Sequence, residues 1–192
     1  MQIDLDGKIA ELRGDGGPMA AAIWSALAAS GARSATTPAG TLPDILVVLM
    51  PLVPQDGLDL APVLRTASLA AEAMRARDSG RVVFVLSAAA EMPMRRHGDY
   101  SVQMAAALAT MRSIAMQVGP TVLVNAVGVG VIGEPLVAGD PAMLGHASVK
   151  RPGTLGEVVD TVLFFCDPLN TYTTGQMLSV DGGWSAGYGR SF

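Results

Sequence analysis

The residues of this chain able to do chemistry are few and widely spread. A hydroxyl and a phenol, Ser87 and Tyr100, stand thirteen positions apart. Tyr100 could act as an acid or base, but a phenol with no cation beside it titrates near 10. Only about one molecule in a thousand would then be phenolate at pH 7. The plainer role for Tyr100 is a packed tyrosine at a helix start with one hydrogen bond, and for Ser87 a strand-end hydroxyl that satisfies local backbone. His97 follows Arg95 and Arg96 and reads as a solvated loop histidine. One cysteine, Cys166, excludes an internal disulfide framework and a Cys-based zinc site, and the distance between His97 and His146 argues against a metal centre. Gly14-Asp15-Gly16-Gly17-Pro18 precedes a helical pattern. Amides at a helix start favour anions, phosphate included, although a turn is the simpler account of these residues.

The elements that must position these groups lie in a chain of 192 residues that is 50% hydrophobic and 16% charged, a composition for one domain with a large core. A net charge of -4 without a Lys/Arg run leaves no electrostatic footprint for nucleic acid or an anionic membrane. The stretch Met1 to Lys8 is acidic and lacks the apolar run of a signal peptide. Two uncharged stretches, 16–32 and 113–133, are broken by Gly16-Gly17-Pro18 and by Gly119-Pro120, so they read as turns, helices and a strand rather than membrane spans. A cytoplasmic protein is expected.

Ile9 to Arg13 alternates apolar with charged residues, the period of a strand with one wet face. A turn and an Ala-rich helix, 19–29, closed by Gly31, follow. The segment 33–43 shows no period and reads as loop. A continuous apolar run at 45–50 marks a strand covered on both faces, as in a parallel sheet, and 81–86 reads as another such strand. Helices are expected at 58–77 and 100–118, a strand at 122–127, a helix after the capping box Thr154-Leu155-Gly156-Glu157, and a last strand at 176–180. Strands alternating with helices give an α/β doubly wound domain over 1–192.

Several segments together resemble the short-chain dehydrogenase/reductase family. They are Asp44-Ile45-Leu46-Val47, Ser79-Gly80-Arg81-Val82-Val83 leading to Ser87, Tyr100-Ser101, Val124-Asn125-Ala126-Val127, and Thr174-Gly175-Gln176 through Val180-Asp181-Gly182-Gly183. The resemblance implies a Rossmann-like parallel sheet and a nicotinamide enzyme. Such domains usually run to roughly 250 residues, and the shortfall falls between Arg33 and Pro43, where the second and third strands would stand. About five strands are therefore expected, with the first at the sheet edge. Glu11 and Arg13 suit an edge strand.

Against the family's motifs, the cofactor positions are degraded. The glycine pattern reads Gly14, Pro18, Ala20, where proline removes an amide donor and alanine adds a Cβ. No acidic residue stands between Asp15 and Asp44 to grip a ribose, and Arg33 is the one charge there. The N-N-A-G motif is Val48-Leu49-Met50-Pro51, and P-G-x-I-x-T is Val129 to Glu134. Ser87 and Tyr100 match the family's serine and tyrosine, yet the lysine position is Met104, and the helix-borne asparagine falls loosely at Asp59. Neither a catalytic nor a cofactor-binding role is expected for these remnants.

The resemblance instead implies a silent subunit without a cofactor of its own, in a hetero-oligomer, a heterotetramer in architecture, with an active NAD(P)-dependent hydroxyacyl- or ketoacyl-thioester dehydrogenase. Helices 58–77 and 100–118 and the segment 175–183 correspond to the family's assembly surfaces. The long helix carries only Arg112 as a charge between Tyr100 and Val118, so it needs cover on both sides, and Met104, Met111 and Met116 are candidates to face a partner. Two other readings stand beside this one. One is a nicotinamide-independent lyase, isomerase or cyclase using Ser87 and Tyr100, and the other is a homo-oligomer binding a small ligand or acyl-CoA.

Overall fold

A computed structural model describes residues 3–35 and 42–187. Strands β1 (Ile9–Gly14), β2 (Arg33–Ser34), β3 (Ile45–Leu49), β4 (Gly80–Ser87), β5 (Val122–Val129) and β6 (Met177–Val180) form one sheet. Its order is β2-β1-β3-β4-β5-β6, and every pair is parallel. Helices α1 (Gly17–Ala29), α2 (Ala61–Ala76), α3 (Gly98–Val118) and α4 (Leu155–Cys166) cover it.

Side-chain alternation along the central strands builds two cores. Leu46, Val48, Val82, Phe84, Leu86, Val124 and Ala126 point to one face, where α2 and α3 bury Ala67, Ala71, Met74, Met104 and Met111. Ile45, Val47, Leu49, Val83, Val85 and Val127 point to the other, against Met19, Ile23 and Leu27 of α1 and Val158, Val162 and Phe165 of α4. Both faces are dry, which is why these strands read as unbroken apolar runs. Truncating fully buried Phe84 to alanine would cost about 3–5 kcal/mol.

Two expectations are corrected. Among the described residues the sheet has six strands, and β1 is not its edge, because Arg33 and Ser34 pair with Ile9 and Ala10. The chain leaving α1 turns at Gly31, whose φ is +97°, and runs back along β1. The Arg33 amide donates to Lys8 O at 2.8 Å and the Ala35 amide to Ala10 O at 3.0 Å, so the outer backbone of β1 is satisfied at its start. Beyond Ala10 no strand pairs this outer side among the described residues, while Glu11 and Arg13 form a partly buried ion pair at 2.6 Å on the face of β1 toward α2, where Arg13 reaches Thr66 O. The rest of the presumed deletion, 36–41, lies outside the described residues. The second correction concerns the α3 methionines: Met104 and Met111 point into the core, and only Met116 faces outward.

No helix among the described residues is long and apolar enough to cross a membrane. The capping box forms as expected, with the Thr154 amide donating to Glu157 Oε2 at 2.7 Å and the Glu157 amide to Thr154 Oγ1 at 3.3 Å.

Candidate functional site

In open α/β sheets the ligand crevice lies beyond the carboxyl ends of the strands where the order reverses, here at β1 and β3. At the end of β4 the Ser87 hydroxyl accepts the Ala89 amide at 3.2 Å and caps a short 3₁₀ turn, Ala88–Ala90. Tyr100, in the first turn of α3, is 2% exposed, and its hydroxyl donates to Pro51 O at 2.8 Å. The fold does bring the two residues together. Burial pushes the phenol's pKa well up, hydrogen bonding with Ser87 partly opposes this, and the charge of Asp15 adds to the rise. At neutral pH this phenol is a protonated donor aimed at a backbone carbonyl. Met104, one turn along α3, is 0% exposed and packs in the α2/α3 core.

The β1–α1 turn is governed by close packing. Gly14 has φ +103°, and a Cβ there would stand 2.0 Å from Leu49 O. The Asp15 amide already donates to that same carbonyl at 2.9 Å. Pro18 occupies the first turn of α1, Gly16 caps it without a side-chain acceptor, and Ala20 is partly buried against the α1/α4 core. The glycine of the motif is thus required by the approach of β1 to β3.

The segment after β3 is tied down from two sides. Pro51 O receives Tyr100, and Leu52 O receives the Gly139 amide at 2.9 Å. The loop 130–139 that follows β5 folds back on itself through the Ile132–Ala138 bridge, and the Gly133 amide reaches Gly153 O at 2.9 Å. Ile132, Ala138 and Leu52 are buried in one core with Leu49.

The remaining candidates have structural roles. Asp59 lies ahead of α2, where its Oδ1 accepts the Ala61 amide at 2.9 Å. That makes it a helix-start acceptor and corrects its loose match to a helix-borne asparagine. Arg33 is an exposed member of β2. Cys166 is fully buried, and desolvation pushes its thiol up to about 12 despite nearby Arg81, so it is not a nucleophile. Asn125, also buried, donates to Thr173 O at 2.8 Å and accepts the Gln176 amide at 3.1 Å, which locks β5 to the chain entering β6. No group of three or more His, Cys, Asp or Glu residues that could hold a metal exists among the described residues.

His97 departs from its reading as a solvated histidine. Its Nε2 lies 2.9 Å from Asp140 Oδ2, while Asp140 Oδ1 accepts the Ala142 amide at 2.8 Å and caps a second 3₁₀ turn, Pro141–Gly145. That backbone bond, the contact with His97 and the charge of Arg96 hold the Asp140 carboxyl below its ordinary range. The loop carrying His97 is fixed by Ser101, whose hydroxyl accepts the Met94 amide at 2.9 Å and donates to His97 O at 2.8 Å. Asp140 carries no periodic or motif signal in the sequence.

A family model described as enoyl-(acyl carrier protein) reductase matches residues 58–185. L-xylulose reductase of Cavia porcellus is 31% identical over 138 residues, covering 67% of this chain and 57% of its own length. A tropinone reductase homolog of Datura stramonium is 28% identical over 128 residues, covering 61% and 48%. The chain thus spans about half the length of the curated relatives it matches. A crystal structure of a putative betaketoacyl-ACP reductase superposes with TM-score 0.75 at 23% identity, covering 95% of this chain and 100% of that one. The structure of ribose-5-phosphate isomerase from Brucella melitensis 16M superposes at 0.74 with 18% identity, covering 96% and 95%. At these identities the likeness is one of fold alone.

Proposed function

The chain is a member of the short-chain dehydrogenase/reductase family, and from that premise we propose that it is a non-catalytic subunit that assembles with a catalytically complete, NAD(P)-using member of the same family. The observation that carries this reading is the Tyr100 hydroxyl, buried and donated to Pro51 O at 2.8 Å, with Met104 in place of the lysine. No cation stands in the lysine's place to make the phenol a base.

A nicotinamide dinucleotide does not fit the residues at its family positions. The Asp15 amide is committed to Leu49 O, and Pro18 has no amide to give. Pro51 and Leu52 both have their carbonyls engaged within the fold, and the loop 130–139 packs apolar side chains against the end of β3. The reading of Ser87 and Tyr100 as catalysts of a nicotinamide-independent reaction gains no support, since both hydroxyls already serve the fold.

The assembly surfaces are the outward rows of α2 and α3, where Leu69 is 59%, Val102 66% and Met116 81% exposed, together with the β6 edge at Leu178. The description of the matching family model suits a partner that works on acyl thioesters.

The test is native mass spectrometry of the complex gently purified from its own host, with nucleotide analysis, alongside calorimetric titration of the isolated chain with NAD+ and NADPH. A stoichiometric partner with intact glycine-rich, tyrosine and lysine motifs, carrying all the nucleotide, is expected. Micromolar nucleotide binding by the isolated chain, or a lone homo-oligomer, would overturn the reading.

A further inference from the structure

The carboxyl ends of the strands carry the family's residues, and the opposite end of the sheet holds a separate cavity of about 310 Å³. It lies where β3, β4 and β5 begin, between Lys8 ahead of β1 and the segment that leaves α4 at Cys166. That volume is at the lower end of the roughly 300–1,000 Å³ of small-molecule sites. Neither Ser87 nor Tyr100 lines it.

The walls are fixed from both sides. Arg81 donates from Nη1 to Asn170 O at 2.7 Å and from Nη2 to Pro168 O at 3.1 Å, and Asp167 Oδ1 accepts the Leu169 amide at 2.8 Å, so the chain after α4 is held in place. Across the cavity, Asp44 Oδ2 accepts the Ile9 amide at 2.8 Å, Oδ1 lies 3.2 Å from an Arg77 guanidinium nitrogen, and the Asp44 carbonyl accepts the Arg81 amide at 2.9 Å.

The charges around this cavity pair off except for one. Arg77 matches Asp44. Burial draws the Arg81 pKa down, and Cys166 and Asp167 oppose this; with the thiol protonated at neutral pH, Asp167 is the charge that matches Arg81. The Lys8 ammonium makes no hydrogen bond or ion pair among the described residues. The three hydroxyls of the lining, those of Ser79, Thr121 and Thr171, make none either. The cavity thus offers an unmatched cation and three unused hydroxyls, while its one carboxylate already accepts at both oxygens. An ammonium attracts a carboxylate or phosphate as a point charge, and a hydroxyl can both donate to and accept from another hydroxyl.

We infer that this cavity binds a small hydroxylated oxyanion, a hydroxy acid or a phosphate ester, with its anionic head at Lys8 and its hydroxyls at Ser79, Thr121 and Thr171. The site stands apart from the family's nicotinamide positions, so it goes beyond the silent-subunit reading and does not depend on it.

The test is calorimetric titration of the full chain, in phosphate-free buffer, with glycerate, glycerol 3-phosphate and glycerol. One-to-one binding of one or both anions is expected, with no measurable heat from glycerol, and the tighter anion tells a hydroxy acid from a phosphate ester. Lys8→Gln keeps the backbone bond from the Arg33 amide to Lys8 O and is expected to weaken the tighter anion at least about tenfold, whereas Lys8→Arg is expected to retain binding. Thr171→Trp fills the cavity from an exposed loop position and keeps the ammonium. It is expected to abolish binding and decides the matter should Lys8→Gln fail to fold. No heat from either anion, glycerol binding as tightly as the anions, or anion binding unchanged in Lys8→Gln or in Thr171→Trp would each overturn the inference.

Discussion

The Tyr100 hydroxyl donates to the Pro51 carbonyl at 2.8 Å, while the next carbonyl, that of Leu52, accepts the Gly139 amide at 2.9 Å. The residue at the family's catalytic position thus fastens α3 to the end of β3, beside the point where the loop after β5 is fastened to it.

Tyr100→Phe should behave as a stability variant. It leaves the Pro51 carbonyl without its donor, at a cost of about 1–2 kcal/mol in urea unfolding. The sign with pH follows from the raised phenol. Above its ordinary value of 10.0 the unfolded chain ionises before the folded one, so wild-type stability falls as pH rises. The variant should lose that part of the alkaline slope, and an unchanged slope would contradict the buried phenol.

Met104→Lys restores the family's residue type but should not restore chemistry. The side chain is 0% exposed within the α2/α3 core, so an ammonium there lacks both water and a partner. Destabilisation on the order of 3–5 kcal/mol is expected by denaturant titration, with no NAD(P)-dependent turnover. A stable, active variant would show that only the lysine was missing.

Gly14→Ala separates packing from phosphate binding. The added Cβ would meet Leu49 O at 2.0 Å, on a backbone at φ +103°. A loss of roughly 2–4 kcal/mol is expected in the absence of any nucleotide. A melting temperature equal to wild type would return the glycine to a phosphate-binding role.

The outward row of α3 offers a test of assembly without a test of folding. Val102→Glu with Met116→Glu should release the partner in native mass spectrometry. The melting temperature of the isolated chain should move little, since substitutions at exposed positions usually change stability by about 0.5 kcal/mol or less. A complex that survives both changes would place the interface elsewhere.

Glu157 provides an acid-side prediction. Its hydrogen bonds with Arg151, and then with the Thr154 amide, lower its pKa from 4.5 to about 2. A carboxylate depressed in the folded state contributes stability that is present above the unfolded value and is lost as pH falls from 4.5 toward 2. Glu157→Gln keeps a helix-start acceptor but removes the charge, so stability should depend less steeply on pH in that window, as read by urea unfolding at several pH values.

The layered architecture is legible in the residues alone, because the information is local. The uninterrupted apolar runs Ile45–Leu49 and 82–86 state that both sheet faces are covered, and Thr154 with Glu157 marks the start of α4 within four residues. Sequence order also located Ser87, Tyr100 and Met104, and with them the absence of a lysine. What these groups touch is set by the packed fold. Tyr100 meets Pro51, and His97 meets Asp140, across separations of 49 and 43 residues that leave no periodic trace. The strand β2 escaped for a related reason: two residues are too short for a period, and they are a strand only because Ile9 and Ala10 lie alongside. Hydrophobic periodicity is written residue by residue, whereas a hydrogen bond between distant loops exists only after the sheet has brought them together.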